Sequence, residues 1–212
     1  MRGTEFTFVF NEQDSQRFAS LSTQLKRFQS STHSWPSNIT VQLENQNFTA
    51  LAENLLDTLN GGQPVPAFVF LDPFGYRDVP IDLIRRLCEF RSNEAFIYFD
   101  FNSANRFSNT GKVDHLFTPL FGSDEYKSAP SGDAGRKQFL HDLYEKQLRE
   151  VAGFDFVQSF EMINSTGHTG NYLFFCTRNR KAFDKMKSVM WKLDPVGAYR
   201  LSDRLAGHEV LF

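Results

Sequence analysis

Apolar residues fall along the chain in short blocks whose spacing switches between strand-like and helix-like periods. Continuous or alternating apolar runs predict strands over 6–10, 39–44, 67–72 and 95–101. Between these strands, apolar residues three and four apart predict helices from 14 or 15 to about 30, from 47 or 49 to 59, and from 79 to 90. Strands that alternate with helices are typical of a parallel sheet with right-handed crossovers.

The pattern changes after the strand that ends near residue 101. Residues 102–135 form a long polar region, in which only 113–121 has a helical pattern. Two further helices are predicted over 136–151 and 181–193. Strands over 154–163 and 172–177 flank a segment rich in Gly, Ser and Thr, which predicts an antiparallel hairpin. The sequence thus predicts an α/β domain over 1–195, and 196–212 as a tail or the start of a further segment.

The most informative segment is the run AFVFLDPFGY over 67–76. A continuous apolar run predicts a strand buried on both faces, and Pro73 must end it because proline cannot donate to a ladder. Open α/β sheets bind ligands at the carboxyl ends of their strands, so Asp72, Phe74 and Tyr76 are candidate site residues. The alternative is a structural strand-to-helix turn, in which Gly75 supplies a positive φ and Phe74 packs inward.

The composition narrows the class of protein. The 212 residues are 41% hydrophobic and include 24 phenylalanines, enough for a substantial core. A formal charge of −2 excludes a chain-wide electrostatic footprint for nucleic acid. No apolar stretch approaches the roughly 20 residues of a membrane span, and no secretory leader is visible. We therefore expect a cytoplasmic protein that does not enter the membrane.

Cysteine and histidine give no sign of a metal site. The two cysteines, Cys88 and Cys176, are too few for a disulfide framework or a zinc site, and we expect both in the core. The five histidines are scattered without the spacing of metal ligands. The sequence therefore predicts no metal.

Two groups of basic residues are candidates for anion contacts. Arg106 follows a predicted strand and could contact a phosphate or a carboxylate, or pair with a nearby acid as a surface arginine. The run Arg178-Asn-Arg-Lys181, followed by Lys185 and Lys187, could border a nucleic-acid groove or form an ordinary solvated helix face. Sequence alone leaves both alternatives open.

Five segments, in the same order along the chain, resemble the three-Cys-motif partner family. They are FVFNEQD over 8–14, NQNF over 45–48, FVFLDPFGY over 68–76, NRF over 105–107 and NYLFFCT over 171–177. Members of this family resemble class I S-adenosylmethionine-dependent methyltransferases and are named for neighbouring genes that encode a three-cysteine, radical-SAM-like protein. The resemblance therefore implies S-adenosylmethionine as cofactor and the radical-SAM-like protein as a partner.

The resemblance also implies a fold, namely a Rossmann-like methyltransferase sheet that is mostly parallel and ends in an antiparallel hairpin. The expected spatial order of strands is 39–44, 6–10, an absent first strand, 67–72, 95–101, 172–177 and 154–163, with the last strand in sequence antiparallel. Nothing before Phe6 can supply that first strand and its glycine-rich turn, because the only upstream glycine is Gly3, which could equally belong to a cloning scar. We expect the chain to be N-terminally truncated and inactive in this form.

Two residues are assigned to the cofactor by the resemblance. Glu12 stands where class I enzymes place an acid that binds the ribose hydroxyls, and a carboxylate can accept two hydrogen bonds from a cis-diol. The alternative is that Glu12 is simply the first exposed residue after a strand. Asn47 stands where such enzymes hold the adenine amino group, although family members often have an acid there. The alternative is that Asn47 caps the following helix.

Asp72-Pro-Phe-Gly-Tyr76 resembles the Asp-Pro-Pro-Tyr element of amino-methyltransferases. There the acid and a proline carbonyl accept hydrogen bonds from the target amine while the aromatic ring stacks on the base. By this resemblance Asp72 and Pro73 anchor the reacting group, and Phe74 or Tyr76 is the stacking surface. Phe74 replaces the second proline, and Gly75 shifts the tyrosine by one place.

We thus expect S-adenosylmethionine-dependent methyl transfer by the complete protein, with nucleic acid or protein as the acceptor. The alternative is a non-catalytic scaffold that keeps the Rossmann-like sheet and binds a partner protein or nucleic acid. Cofactor titration of this chain and of one extended upstream separates the two hypotheses.

Overall fold

The computed structural model describes residues 3–31, 35–60, 65–73, 79–107, 114–131, 133–164 and 166–202. The chain divides into two compact units, Met1–Gly62 and Gln63–Phe212, and each is described by itself. The predicted single domain over 1–195 stays a prediction.

The first unit is a strand–helix–strand–helix segment. Its elements are β1 (Phe6–Asn11), α1 (Ser15–Ser31), β2 (Ile39–Glu44) and α2 (Phe48–Asn60). The two strands pair in parallel, with Phe6 opposite Ile39 and Asn11 opposite Glu44. This pairing confirms the predicted neighbours 6–10 and 39–44. Every residue of β1 before Asn11 is exposed, and α1 has no buried residue.

The second unit contains a five-stranded sheet flanked by helices. Its elements are β3 (Phe68–Leu71), α3 (Ile81–Leu87), β4 (Glu94–Phe99), α4 (Phe101–Phe107), α5 (Asp114–Phe121), a 3₁₀ turn (Glu125–Ser128), α6 (Asp133–Glu150), β5 (Phe156–Ile163), β6 (Thr169–Thr177), α7 (Arg180–Leu193) and β7 (Arg200–Ser202). The described part of the chain is thus a mixed α/β structure, as the alternation of patterns predicted.

The strand order of this sheet is β3-β4-β6-β5-β7. β3 and β4 are parallel, whereas β6 runs antiparallel to both of its neighbours, β4 and β5. The predicted hairpin and the predicted adjacency of the strands near 67–72, 95–101, 172–177 and 154–163 are therefore confirmed.

The last predicted strand, over 172–177, is antiparallel to both of its neighbours as expected, and β7 is an additional strand, parallel to β5, that the sequence did not predict. β7 has three residues and no apolar period that could reveal it. Backbone hydrogen bonds fix it instead. The Glu161 N–H donates to the carbonyl of Tyr199 at 2.8 Å, and the Arg200 N–H donates to Asp194 Oδ2 at 3.0 Å.

β3 corrects the prediction of a strand buried on both faces, because it is an edge strand of this sheet and one of its faces is exposed. Leu71 is buried, whereas Phe68 and Phe70 are each 58% exposed. Val69 and Leu71 lie on the face that α6 covers, since they pair with Ala95 and Ile97 of β4. An apolar run cannot reveal that a strand has a neighbour on one side only.

The region after β4 is more helical than its sequence suggests. The strand ends at Phe99, and α4 begins at Phe101, where the pattern predicts strand to 101 and then a polar loop. The backbone carbonyl of Asp100 accepts from the Ala104 N–H at 3.1 Å, so Asp100 occupies the position that caps the helix. A short helix with few apolar positions is hard to recognise from periodicity.

Aromatic side chains fill both faces of the second unit's sheet. On one face Phe99 stacks on Tyr144 of α6, with ring centroids 4.4 Å apart. On the other face Phe160, Phe175 and Met190 of α7 form a buried cluster. The prediction that both cysteines pack in the core is confirmed, since Cys88 and Cys176 are completely buried.

Candidate functional site

The carboxyl ends of β3 and β4 lie at the same edge of the sheet, because the two strands are parallel and in register. Asp72 follows β3 directly and is exposed, and Pro73 is partly buried. Asp100 follows β4 and is also partly buried. The structure thus brings two carboxylates to one sheet edge, which is the place where open α/β sheets bind ligands. Phe74 and Tyr76, the predicted stacking residues, lie outside the described residues.

A polar network borders this edge on the side of α6. Lys137 Nζ donates to Glu161 Oε1 at 2.5 Å, and the Thr169 hydroxyl donates to the same oxygen. Tyr172 lies beside this pair, with Lys137 Nζ 5.9 Å from the centroid of its ring, and its ring packs against that of Phe101, with centroids 5.9 Å apart. Because Tyr172 pairs with Phe99, the network lies one strand away from Asp100. We call these four residues (Lys137, Glu161, Thr169 and Tyr172) the strand-end network.

The surroundings of the network lower the pKa of Glu161 and raise the pKa of Tyr172. Burial raises the pKa of Glu161, but the hydrogen bonds from Lys137 and Thr169 outweigh it, and the pKa lies below the usual range. Burial, reinforced by the negative charge of Glu161, raises the pKa of Tyr172. At neutral pH the tyrosine is therefore a hydroxyl that can donate a hydrogen bond.

A second chain of hydrogen bonds continues along the same helix. His141 Nε2 lies 2.9 Å from the Ser159 hydroxyl, and Nδ1 lies 2.9 Å from Asp142 Oδ1. The imidazole packs against the rings of Tyr172 and Phe174, with centroids 4.7 and 5.4 Å apart. These contacts satisfy both ring nitrogens of a largely buried histidine, so its first role is to hold α6 against β5.

Sequence reasoning missed both groups, although a signal was present. Ser159 and Glu161 alternate with apolar residues along β5, which marks one polar face on a strand. Lys137 and His141 lie four residues apart on α6 and therefore on one helix face. Polar residues at matching periods on a strand and on a neighbouring helix indicate a shared polar contact.

In the first unit, Glu12 stabilises the turn that joins β1 to α1. Its Oε1 accepts from the Asp14 N–H at 2.8 Å, and its Oε2 lies 3.3 Å from Arg17 Nε. The side chain is 26% exposed. Each carboxylate oxygen has a second lone-pair direction, so Glu12 still fits the two hydroxyls of a ribose.

Asn47 caps α2, as its alternative interpretation predicts. Its Oδ1 accepts from the N–H groups of Thr49 at 2.9 Å and Ala50 at 3.4 Å. The oxygen is therefore occupied, and the polar group left for a ligand is the Nδ2 amide NH2. This group donates hydrogen bonds, so Asn47 fits a ring nitrogen of adenine better than the exocyclic amino group. The assignment of Glu12 and Asn47 to a cofactor stays a prediction.

The candidate anion contacts have distinct environments. Next to the candidate Arg106, Asn105 Oδ1 accepts from the buried Arg136 Nε at 2.8 Å, and this hydrogen bond joins α4 to α6. The guanidinium of Arg178 donates to the backbone carbonyls of Gly153 at 2.6 Å and Ala152 at 2.8 Å, and to that of Cys88. Arg178 is thus a structural residue that joins three segments.

An open cleft of about 690 Å³ lies beside the start of α7. It is lined by Arg91, Ser92, Asp155, Phe156, Arg178, Asn179 and Arg180. Asn179 caps α7, with Oδ1 accepting from the N–H groups of Lys181 and Ala182. Arg91 and Arg180 are largely exposed, so this cleft is basic, in contrast to the acidic edge at Asp72.

Three findings complete the description of the site. No group of three or more histidine, cysteine or acidic side chains among the described residues is placed to hold a metal ion. Within the same ranges, none of the helices has both the length and the apolar character needed to cross a membrane. Neither the models of known protein families nor the curated proteins give a match to this chain.

Proposed function

We propose that this chain is a methyltransferase-like protein of the three-Cys-motif partner type with a Rossmann-like sheet. In this proposal it transfers a methyl group from S-adenosylmethionine to nucleic acid or protein. The observation that carries the proposal is the strand order β3-β4-β6-β5, in which β6 alone is reversed. This order resembles the one with which a methyltransferase sheet closes, and the first unit separately contains the parallel pair β1–β2.

Each candidate residue has a role in this proposal. Asp72 stands exposed at the carboxyl end of β3, where its carboxylate can accept a hydrogen bond from the reacting amine or hydroxyl. Pro73 adds its carbonyl oxygen to the same anchor. Glu12 would hold the ribose hydroxyls of the cofactor, and Asn47 would donate to its adenine. Phe74 or Tyr76 would stack on the acceptor.

Calorimetric titration with S-adenosylhomocysteine tests the cofactor part of this proposal. The titration uses this chain and, as a second form, a version that includes any coding sequence found directly upstream of Met1. We expect Glu12→Gln to weaken binding at least tenfold, since the variant loses the charge that the ribose hydroxyls recognise. Glu5→Gln, an exposed glutamate just before β1, is the matched control and should leave binding unchanged.

Asp72→Asn separates the cofactor site from the acceptor site. This isosteric change should leave the affinity for S-adenosylhomocysteine within about twofold and abolish methyl transfer, because the amide is a poorer acceptor for the reacting group. The proposal is wrong if neither form of the chain binds S-adenosylmethionine or S-adenosylhomocysteine.

A non-catalytic scaffold is the second candidate, and one observation favours it. Phe6, Phe8 and Phe10 on β1 are 45 to 48% exposed, and Phe68 and Phe70 on β3 are 58% exposed. Exposed aromatic side chains on strands are typical of surfaces that receive a partner. Absence of cofactor binding, together with indifference of every assay to Glu12 and Asp72, would favour this function.

A further inference from the structure

α7 concentrates positive charge in a chain whose formal charge is −2. Its 14 residues include five basic side chains and one acidic side chain, Asp184. The basic residues of α7 are Arg180, Lys181, Lys185, Lys187 and Lys192. The helix therefore carries a positive field although the whole chain is slightly acidic, and such a field attracts polyanions.

Little of this charge is neutralised by the protein. Arg180 pairs with Asp184 at 3.1 Å, but both side chains are more than half exposed, so the pair is weak. Within the described part of the chain, no ion pair engages the ammonium groups of Lys181, Lys185 or Lys192. Lys181 and Lys185 are four residues apart, an arrangement of like charges that slightly destabilises a helix. The fold itself gains nothing from this arrangement.

The basic surface continues past the start of α7 into the adjoining cleft. Arg91 is 82% exposed and lies 3.7 Å from Asp155, a loose contact that leaves most of its donors to solvent. Arg180 reaches the same cleft and also lies over the ring of Phe156, at 5.8 Å from the centroid. Two exposed guanidinium groups beside an open concave surface suit the phosphate groups of an extended chain.

An aromatic side chain stands at the opposite end of the helix. Trp191 is 59% exposed, and its indole N–H donates to the Tyr199 hydroxyl at 2.9 Å, which restrains the ring. Arg180, Lys187 and Trp191 are spaced by seven and four residues and so share one side of the helix. Eleven residues of helix span about 16 Å, close to the length of about five stacked nucleotides.

We propose that the exposed surface of α7, from the side of Arg180 and Trp191 to the neighbouring side that carries Lys181 and Lys185, binds single-stranded nucleic acid without sequence preference, together with the adjoining cleft. Arg91, Arg180, Lys181 and Lys185 contact successive phosphates, and a base stacks on Trp191. Cationic side chains that follow a backbone, combined with a restrained aromatic platform, are how proteins bind single strands. This inference does not depend on the proposed methyl transfer, since neither Glu12 nor Asp72 takes part.

Fluorescence anisotropy with labelled 15-mers of deoxythymidine and of uridine tests the proposal. With about four phosphate contacts, each contributing a slope of about −0.7, affinity should fall about 50-fold between 50 and 200 mM salt. Equal binding of both oligomers means recognition of the shared backbone, and stronger binding of one identifies DNA or RNA as the partner. Trp191→Ala should weaken binding at least fivefold and leave the salt dependence unchanged.

A matched pair of charge reversals gives the decisive comparison. Lys181→Glu with Lys185→Glu should weaken binding more than tenfold and flatten the salt dependence, while circular dichroism confirms the fold. Lys26→Glu with Arg27→Glu changes the net charge equally on the exposed surface of α1 and should change affinity less than twofold. Equal losses in both double variants would overturn the proposal. Binding to vesicles with 30% phosphatidylserine but to neither oligomer would also overturn it and indicate a membrane surface.

Discussion

Gly122, which follows α5, tests how tightly the end of α5 packs against the start of α3. Its φ is +63°, and a Cβ added there would lie 2.6 Å from Cγ2 of Ile81. Ile81 begins α3, is 2% exposed, and is β-branched, so its methyl group cannot rotate away cheaply. Gly122→Ala therefore combines a backbone penalty of about 1 kcal/mol with overpacking of about 1–3 kcal/mol.

Gly167→Ala is the matched control for the backbone penalty. Gly167 has a φ of +87°, and an added Cβ would meet no atom within 4 Å. This variant should lose about 1 kcal/mol, whereas Gly122→Ala should lose about 2–4 kcal/mol. In urea unfolding followed by circular dichroism, the midpoints should separate with equal slopes, and the melting temperatures should differ by roughly 4–8 °C. Equal losses would mean that Ile81 yields and that the contact is not rigid.

Three further predictions concern the second unit. Arg178→Lys should lower the free energy of unfolding by about 2 kcal/mol, because an ammonium cannot reach the three carbonyls that the guanidinium bridges. Arg180→Lys, the control, should lower it by under about 0.5 kcal/mol. The midpoints of urea unfolding compare the two variants. Burial raises the pKa of Cys88 to about 12 and also raises that of Cys176, so a thiol reagent at pH 8 should label both only after unfolding. The pKa of Glu161 is lowered in the folded protein, so the ionised side chain stabilises the fold at pH values above its usual pKa of 4.5. This contribution is lost as the pH falls through the folded pKa. Wild type should therefore lose more stability than Glu161→Gln between about pH 5 and about pH 3.

Periodicity predicted the long elements of the fold, because each carries apolar residues at a regular spacing. β5 and β6 appear as a hairpin since their apolar runs flank a segment rich in Gly and Thr. α4 and β7 escaped prediction because seven and three residues are too few to display a period. The edge position of β3 escaped it for another reason, since exposure depends on a neighbouring strand that the local sequence does not encode.

The candidate site was predictable only where one residue type at a strand end carries the information. Asp72 is such a case, since a carboxylate followed by proline marks the end of a strand. For the strand-end network the sequence shows only a polar face on β5 and another on α6, because Lys137 and Glu161 are 24 positions apart and meet only when α6 packs on β5. The local role of Asn47 was predictable, since an asparagine before an apolar helix is a common cap.

Asn47 is also the residue at which capping and ligand binding can be separated. Asn179 caps α7 with the same geometry, since each Oδ1 accepts from two backbone N–H groups at 2.9 and 3.4 Å. Replacing either by alanine should therefore cost about 1 kcal/mol of stability, and replacing either by aspartate should cost little. Urea unfolding of the four variants checks this equivalence.

If Asn47 holds the adenine, the variants of Asn47 and Asn179 should differ in their affinity for S-adenosylhomocysteine. With Oδ1 committed to the cap, the contact comes from Nδ2, so Asn47→Asp should keep the stability and lose affinity about tenfold, because a carboxylate cannot donate. Asn47→Ala should lose both, and the two variants of Asn179 should bind as wild type does. Aspartate retains the cap and removes only the donor. Full affinity in Asn47→Asp would therefore show that the Nδ2 group does not contribute to cofactor binding and that the residue only caps the helix.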